Sequence, residues 1–125
     1  MTFNKSHITL NTMLIKHSNE VGKELPTLEG TKDCTLRWLI RKDDGAEHYA
    51  MRLFELEPGG IIPLHSHEDT EHEIFIIEGE GILNDGEKDI PVQQGDVIFV
   101  EPDEKHGFVN NTNNSFKFIC VIPIK

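Results

Sequence analysis

The sequence of 125 residues predicts an all-β fold, either a sandwich or a barrel, and three observations support it. Short stretches alternate in polarity, so that Cys34, Leu36, Trp38 and Ile40 share one face of a predicted strand. Turn signals rich in glycine, proline, asparagine and aspartate separate these stretches at short intervals. No segment repeats its apolar residues with the period of a helix. Periodicity alone does not distinguish an immunoglobulin-like sandwich from a jelly roll.

The first half of the chain is expected to hold three strands before a stretch rich in histidine. A short strand over 12–16 precedes a polar segment that contains proline and glycine. Strands over 31–41 and 49–57 flank an Asp-Asp-Gly turn at 43–45, which is a hairpin signal. The Pro-Gly-Gly sequence at 58–60 predicts a further turn.

The second half is expected to consist of short strands joined by tight turns. Asp85-Gly86 suits the positive φ angles of a hairpin turn, and a cluster of asparagines at 110–114 predicts another turn. The strands are expected at 74–77, 81–83, 88–92, 97–100, 106–109 and 116–122.

Composition restricts the class of protein and its partners. A hydrophobic fraction of 37% suits one domain with one core, and the net charge of −10 argues against nucleic acid and anionic membranes as partners. No apolar run approaches the roughly 18 residues of a membrane span, and the N-terminus lacks the pattern of a signal peptide. Cys34 and Cys120 have no metal-type spacing, so free thiols and a cytoplasmic location are expected.

The chain is expected to divide into an N-terminal arm, residues 1–30, and a single barrel domain, residues 31–125. The arm has weak internal patterning, and its His7 and His17 have no partner at ligand spacing, so both are interpreted as surface residues. Such an arm, together with several potential edge strands, predicts a homodimer in which partner strands cover those edges.

Histidines carry the main functional signal. His65 and His67 are two residues apart, so on a strand they point to the same face, and His72 opens the next apolar run. Three imidazoles placed in this way converge on one point, which is a geometry of metal ligands, and His106 is a fourth candidate.

Two motifs with this spacing resemble the signatures of the cupin superfamily. The first is Gly59, five residues, His65-x-His67, four residues, His72, six residues and Gly79; the second is Gly95, ten residues, His106, three residues and Asn110. The resemblance implies an antiparallel double-stranded β-helix, that is, a jelly-roll barrel. It also implies one divalent transition metal per chain (manganese, iron, copper, nickel or zinc) and a homodimer. The metal ligands that it implies are His65, His67, His72 and His106.

His72 stands where the family's usual motif has a glutamate, and its neighbours Glu71 and Glu73 are also potential ligands. Strand alternation sends 71 and 73 to one side and 72 to the other. The six-residue gap to Gly79 favours His72 as the residue that faces inward.

A substrate pocket is expected around the metal. Phe118 and Cys120 share a face of the last strand, and Phe108 shares a face with His106, although ordinary core packing explains the same pattern. Arg52 is a candidate for binding an anionic substrate, with a surface position as the alternative.

Three classes of function fit these features. The leading prediction is a metal-dependent oxidoreductase, similar to a dioxygenase, that acts on a small organic substrate. The alternatives are a non-redox isomerase or lyase, in which the ion polarises a carbonyl group, and a metal-stabilised module that binds a small molecule. A barrel of this kind hosts many activities, so the fold does not choose among them.

Overall fold

The computed structural model describes residues 8–10 and 13–125, so His7 and Thr12 lie outside the described residues. Within them the regular structure is all strand except for two short 3-10 helices at Ser18–Glu20 and Lys42–Asp44. Neither helix is long and apolar enough to cross a membrane. The strands are β1 (Ile8–Leu10), β2 (Met13–Ile15), β3 (Lys32–Ile40), β4 (Tyr49–His65), β5 (His72–Glu78), β6 (Glu80–Asn84), β7 (Asp89–Gln93), β8 (Val97–Val100), β9 (His106–Val109) and β10 (Phe116–Pro123).

Eight of these strands form one curled antiparallel sheet. The order is β7-β6-β9-β4-β10-β5-β8, and β3 also pairs with β4. The long strand β4 belongs to both halves of the barrel, because its first part pairs with β10 and its last part with β9. The predicted all-β jelly-roll fold is therefore confirmed.

The passage of β4 through its glycines differs from the sequence prediction. A turn was expected at 58–60, but the strand continues through this point and bends. Gly59 has a φ of 83°, a left-handed value that glycine adopts without strain. The backbone amides of Gly59 and Asn110 bond to the carbonyls of Asn110 and Gly60, at 2.9 Å each. These bonds keep the strand in the sheet while it turns from one half of the barrel to the other.

The barrel interior is an apolar core rich in aromatic rings. Alternate residues of β4 and β10 point inward, as the parity of the sequence predicts. Phe54 stacks on Phe118 with ring centres 5.1 Å apart, and Phe108 lies 4.6 Å from Phe118. At the level of these strands, the interior is therefore apolar and lined by flat aromatic side chains.

Part of the predicted N-terminal arm lies against the barrel. Residues 24–31, here called the strap, begin with a bridge between Glu24 and Leu36 and end next to β3. Leu28 packs against the core. Farther upstream, the ring of His17 accepts a hydrogen bond from the amide of Asn19 and caps the helix Ser18–Glu20. The boundary at residue 30 stays a prediction.

Candidate metal centre

Strand ends bring four histidines together on one side of the barrel interior. His65 is the last residue of β4, and His67 follows it by two positions. His72 opens β5 and His106 opens β9. His65 and His106 are register partners across the β4–β9 ladder, so their close approach follows directly from strand pairing.

Three of the four histidines form the tightest group. One ring nitrogen from each of His65, His67 and His106 lies within 4.8 Å of the others. Zn–N bonds of about 2.0–2.1 Å allow at most about 4.2 Å between two ligating nitrogens, so small side-chain rotations suffice to close the group around an ion. His72 adjoins this group, with its ring centre 4.7 Å from that of His106 and 5.4 Å from that of His67.

Hydrogen bonds to the backbone fix the orientation of two rings. Nδ1 of His65 lies 2.8 Å from the carbonyl oxygen of Pro63, and Nδ1 of His106 lies 2.9 Å from that of Glu104. A carbonyl oxygen only accepts, so in each ring Nδ1 carries the proton and donates it. Nε2 then keeps its lone pair free, which is the tautomer that a metal-ligating histidine needs.

His72 is the most buried of the four, and Nδ1 of its ring has no hydrogen-bond partner among the described residues. Burial, and then the neighbouring His106, lowers the pKa of His72 from 6.5 to about 3. Burial also lowers the pKa of His67 and of His106. These three imidazoles are therefore neutral near pH 7, as metal coordination requires. The donor set and the unpartnered nitrogen fit a divalent ion; His72 as its fourth ligand stays a prediction.

The structure separates His72 from its acidic neighbours in the way that strand alternation predicts. His72 is 4% exposed and points into the barrel, whereas Glu71 and Glu73 are exposed on the outer side. Partial burial, followed by a hydrogen bond to Glu71, raises the pKa of Glu73. The two carboxyl groups thus interact with each other outside the barrel.

A cavity of about 170 Å³ extends from the histidines into the barrel. The four histidines line it together with all four residues predicted for a substrate pocket, namely Arg52, Phe108, Phe118 and Cys120. Arg52 points inward from β4 and donates a hydrogen bond from Nη2 to Sγ of Cys120, at 3.1 Å. Burial raises the pKa of Cys120, although Arg52 opposes this shift. Both Cys120 and Cys34 are buried and free, as expected.

Sequence reasoning missed several residues of the cavity wall. Trp38 and Ile74 were within reach of prediction, since they share strand parity with Leu36 and His72 respectively. Residues of the strap had no such signal, because a segment without regular structure has no period to read. The missed residues are Pro26, Thr27, Leu28, Thr31, Leu36, Trp38, Phe54, Ile62 and Ile74.

Comparison with known families agrees with this geometry. The profile of the cupin domain matches residues 52–122, which run from the inward-facing Arg52 into the last strand, β10. The chain belongs to the cupin family. Cupins commonly bind a divalent metal, and this cupin has a cluster formed by His65, His67 and His106.

The names of individual relatives of this cupin describe different activities. The polyketide cyclase RemF from Streptomyces resistomycificus is 36% identical, with a TM-score of 0.85 over 90% of this chain and 80% of its own. An oxalate-binding protein from Thermotoga maritima is 32% identical over 114 residues, which cover 88% of this chain and 93% of the relative. The structure of a predicted oxalate decarboxylase from the same organism has 29% identity and a TM-score of 0.77, covering 87% and 97%.

Proposed function

We propose that this cupin binds one divalent transition-metal ion through His65, His67, His72 and His106 and uses it to act on a small organic molecule in the barrel. The observation that carries the proposal is the orientation of the rings. Backbone carbonyls hold the Nδ1 protons of His65 and His106, so the Nε2 lone pairs are available for one ion.

The residues of the chain determine what such a centre does. A bound divalent ion polarises a ligand oxygen and lowers the pKa of bound water. Four neutral imidazoles, unlike a set that includes glutamate, add no negative charge beside the ion. The buried rings of Phe108 and Phe118 make the cavity walls apolar, so electrostatic interactions there are stronger than at the surface.

The first candidate reaction class is non-redox chemistry on a carbonyl compound, such as that of a cyclase, isomerase or lyase. Its support is the 36% identity to a polyketide cyclase over most of both chains. Oxidation similar to that of a dioxygenase, which was the leading prediction from the sequence, is the second candidate. Its support is the all-nitrogen ligand set, which suits iron, copper and nickel as well as zinc, with manganese a further candidate. A binding module is the third, and its support is the relative named for binding oxalate.

Elemental analysis of protein purified without added metal tests the proposal. One equivalent of a divalent metal is expected in the wild-type chain and in His48→Ala, a matched control whose ring is exposed. His72→Ala is expected to lower the affinity by more than the roughly 10- to 100-fold that follows loss of a residue that only orients a ligand. Equal metal content in all three proteins would contradict the four-histidine centre. Zinc would favour the non-redox class, and iron, copper or manganese the oxidative one.

We also propose a cytoplasmic homodimer with a small molecule, and no nucleic acid, as its ligand. Support for the dimer comes from the outer face of β5 and β8, where Phe75, Val97 and Phe99 are 47%, 77% and 57% exposed. Phe75 and Val97 are direct register partners, and Phe99 lies opposite Glu73. A contiguous exposed apolar patch of this kind is typical of an interaction surface, here one for a second copy.

A further inference from the structure

Unpartnered polar atoms are concentrated in the metal cavity. In the described part of the chain, buried side-chain nitrogen or oxygen atoms without a hydrogen-bond partner occur in four residues, and three of these, Thr31, Arg52 and His72, line the cavity. Folded proteins pair the large majority of such atoms. A bound metal would account for the unpartnered nitrogen of His72. It would leave the hydroxyl of Thr31 and Nε of Arg52 without a partner in the described structure.

Arg52 is a partly buried cation that has no counterion among the described residues. Its guanidinium centre lies 4.9 Å from the ring centre of Phe54 and 5.5 Å from that of Trp38, and Nη2 bonds to the thiol of Cys120. Its Nε is buried and has no hydrogen-bond partner in the described part of the chain. No carboxylate of the described residues lies within ion-pair distance of it.

These contacts orient the guanidinium without neutralising it. Arginine stays protonated in proteins, and a charge that is partly removed from water without a counterion is unfavourable. The planar group donates in a fork that matches a carboxylate. A ligand carboxylate would therefore supply both the missing acceptor and the missing charge.

Thr31 contributes a second polar group from a different part of the chain. It ends the strap and precedes β3, and its amide bonds to the carbonyl of Leu28 at 3.3 Å. Its hydroxyl is buried in the cavity wall and both donates and accepts. Between these polar groups the wall is apolar, with the stacked rings of Phe54 and Phe118 and the nearby ring of Phe108.

We propose that the cavity recognises a small apolar carboxylate, with Arg52 binding the carboxylate and Thr31 bonding to a further polar atom or to the carboxylate edge. The cavity of about 170 Å³ limits the ligand to roughly one ring, since an engineered cavity of about 150 Å³ holds benzene. This inference rests on the proposed function, which places the reaction in the same cavity. Recognition by Arg52 does not require a bound metal.

Binding of benzoate to metal-free protein, measured by calorimetry, tests the inference. Benzamide is the neutral probe of the same shape, 2-naphthoate is the larger carboxylate, and oxalate is the carboxylate without an apolar body. Benzoate is expected to bind at least about tenfold more tightly than benzamide, because only the carboxylate accepts charge-assisted hydrogen bonds from Arg52. It should also bind more tightly than 2-naphthoate, which is too large for the cavity, and than oxalate, which has no ring to contact the apolar walls. Because Arg52 is partly buried in the cavity wall, binding should also change less with salt than binding at an exposed arginine.

Two arginines that contact the ring of Trp38 provide a test variant and its control. Arg52→Met removes the charge inside the cavity and is expected to weaken benzoate binding about 10- to 100-fold. Arg41→Met is the matched control, because Arg41 lies 5.7 Å from the same ring of Trp38, pairs with Glu24 and does not line the cavity. Thr31→Val is expected to weaken binding less, by about three- to tenfold. A melting temperature of Arg52→Met at or above that of the wild type shows that the loss is not a folding defect.

Several results would overturn the inference. They are equal binding of benzoate by wild type and Arg52→Met, equal or tighter binding of benzamide, 2-naphthoate or oxalate, and binding of benzoate only after zinc is added. Failure of the metal proposal gives a different pattern, in which His72→Ala and wild type hold the same metal while benzoate binding still depends on Arg52.

Discussion

Acidification of the metal-free protein should destabilise it through His72. The pKa of His72 is lowered from 6.5 to about 3 in the fold, mainly by burial. As the pH falls below 6.5, the unfolded chain takes up a proton that the folded chain does not accept, so the unfolded state is favoured. The contribution of His72 to the free energy of unfolding is therefore fully present above pH 6.5 and is lost progressively down to about pH 3.

The expected loss follows from the size of the shift. One pKa unit corresponds to about 1.4 kcal/mol, so lowering the pH from 6.5 to about 5 removes about 2 kcal/mol through this residue alone. His67 and His106, whose pKa values are also lowered, act in the same direction. A loss of 2 kcal/mol is a large part of the about 5–15 kcal/mol that stabilises a domain of this kind.

Urea unfolding of metal-free protein at several pH values between 5 and 7 measures this loss. His72→Gln lacks the titrating group and should show about 2 kcal/mol less pH dependence than the wild type over this range. His48→Gln is the matched control, because its side chain is 80% exposed, and it should follow the wild type. The same pH dependence in His72→Gln and wild type would refute the reasoning.

Three further predictions follow from the same geometry. Metal should be released by chelator near pH 4, since protons compete for neutral imidazole; retention there would contradict an all-histidine site. Light scattering should give about twice the monomer mass of 14.2 kDa, and Phe75→Asp should give the monomer; a wild-type monomer would refute the dimer. Gly81→Ala should lower stability by about 1–3 kcal/mol in urea unfolding, because its Cβ would lie 2.6 Å from the ring of Phe116; an unchanged midpoint would contradict this.

Strand alternation and turn chemistry were sufficient to predict most of the barrel. The Asp85-Gly86 turn joins β6 and β7, with Gly86 at a φ of 98°. Local signals of this kind depend only on neighbouring residues, which is why they are readable in the sequence. The inward position of His72 was readable for the same reason, since parity in a strand is a local property.

Features that depend on distant partners were not predictable. The continuation of β4 through Gly59 depends on hydrogen bonds to Asn110, which directly follows β9 and is distant from Gly59 in the sequence. The strap reaches the cavity through its bridge to Leu36 and the packing of Leu28, and neither contact leaves a periodic pattern. The unpaired charge of Arg52 is likewise visible only when the surroundings of its side chain are known.

A crystal structure of metal-loaded protein, with anomalous data collected at the edge of the added metal, tests the central claim most directly. The four-histidine centre predicts one anomalous peak per chain, about 2.0–2.3 Å from a ring nitrogen of each of His65, His67, His72 and His106. A peak held by three histidines and a carboxylate of Glu71 or Glu73, or no peak among the histidines, would contradict it.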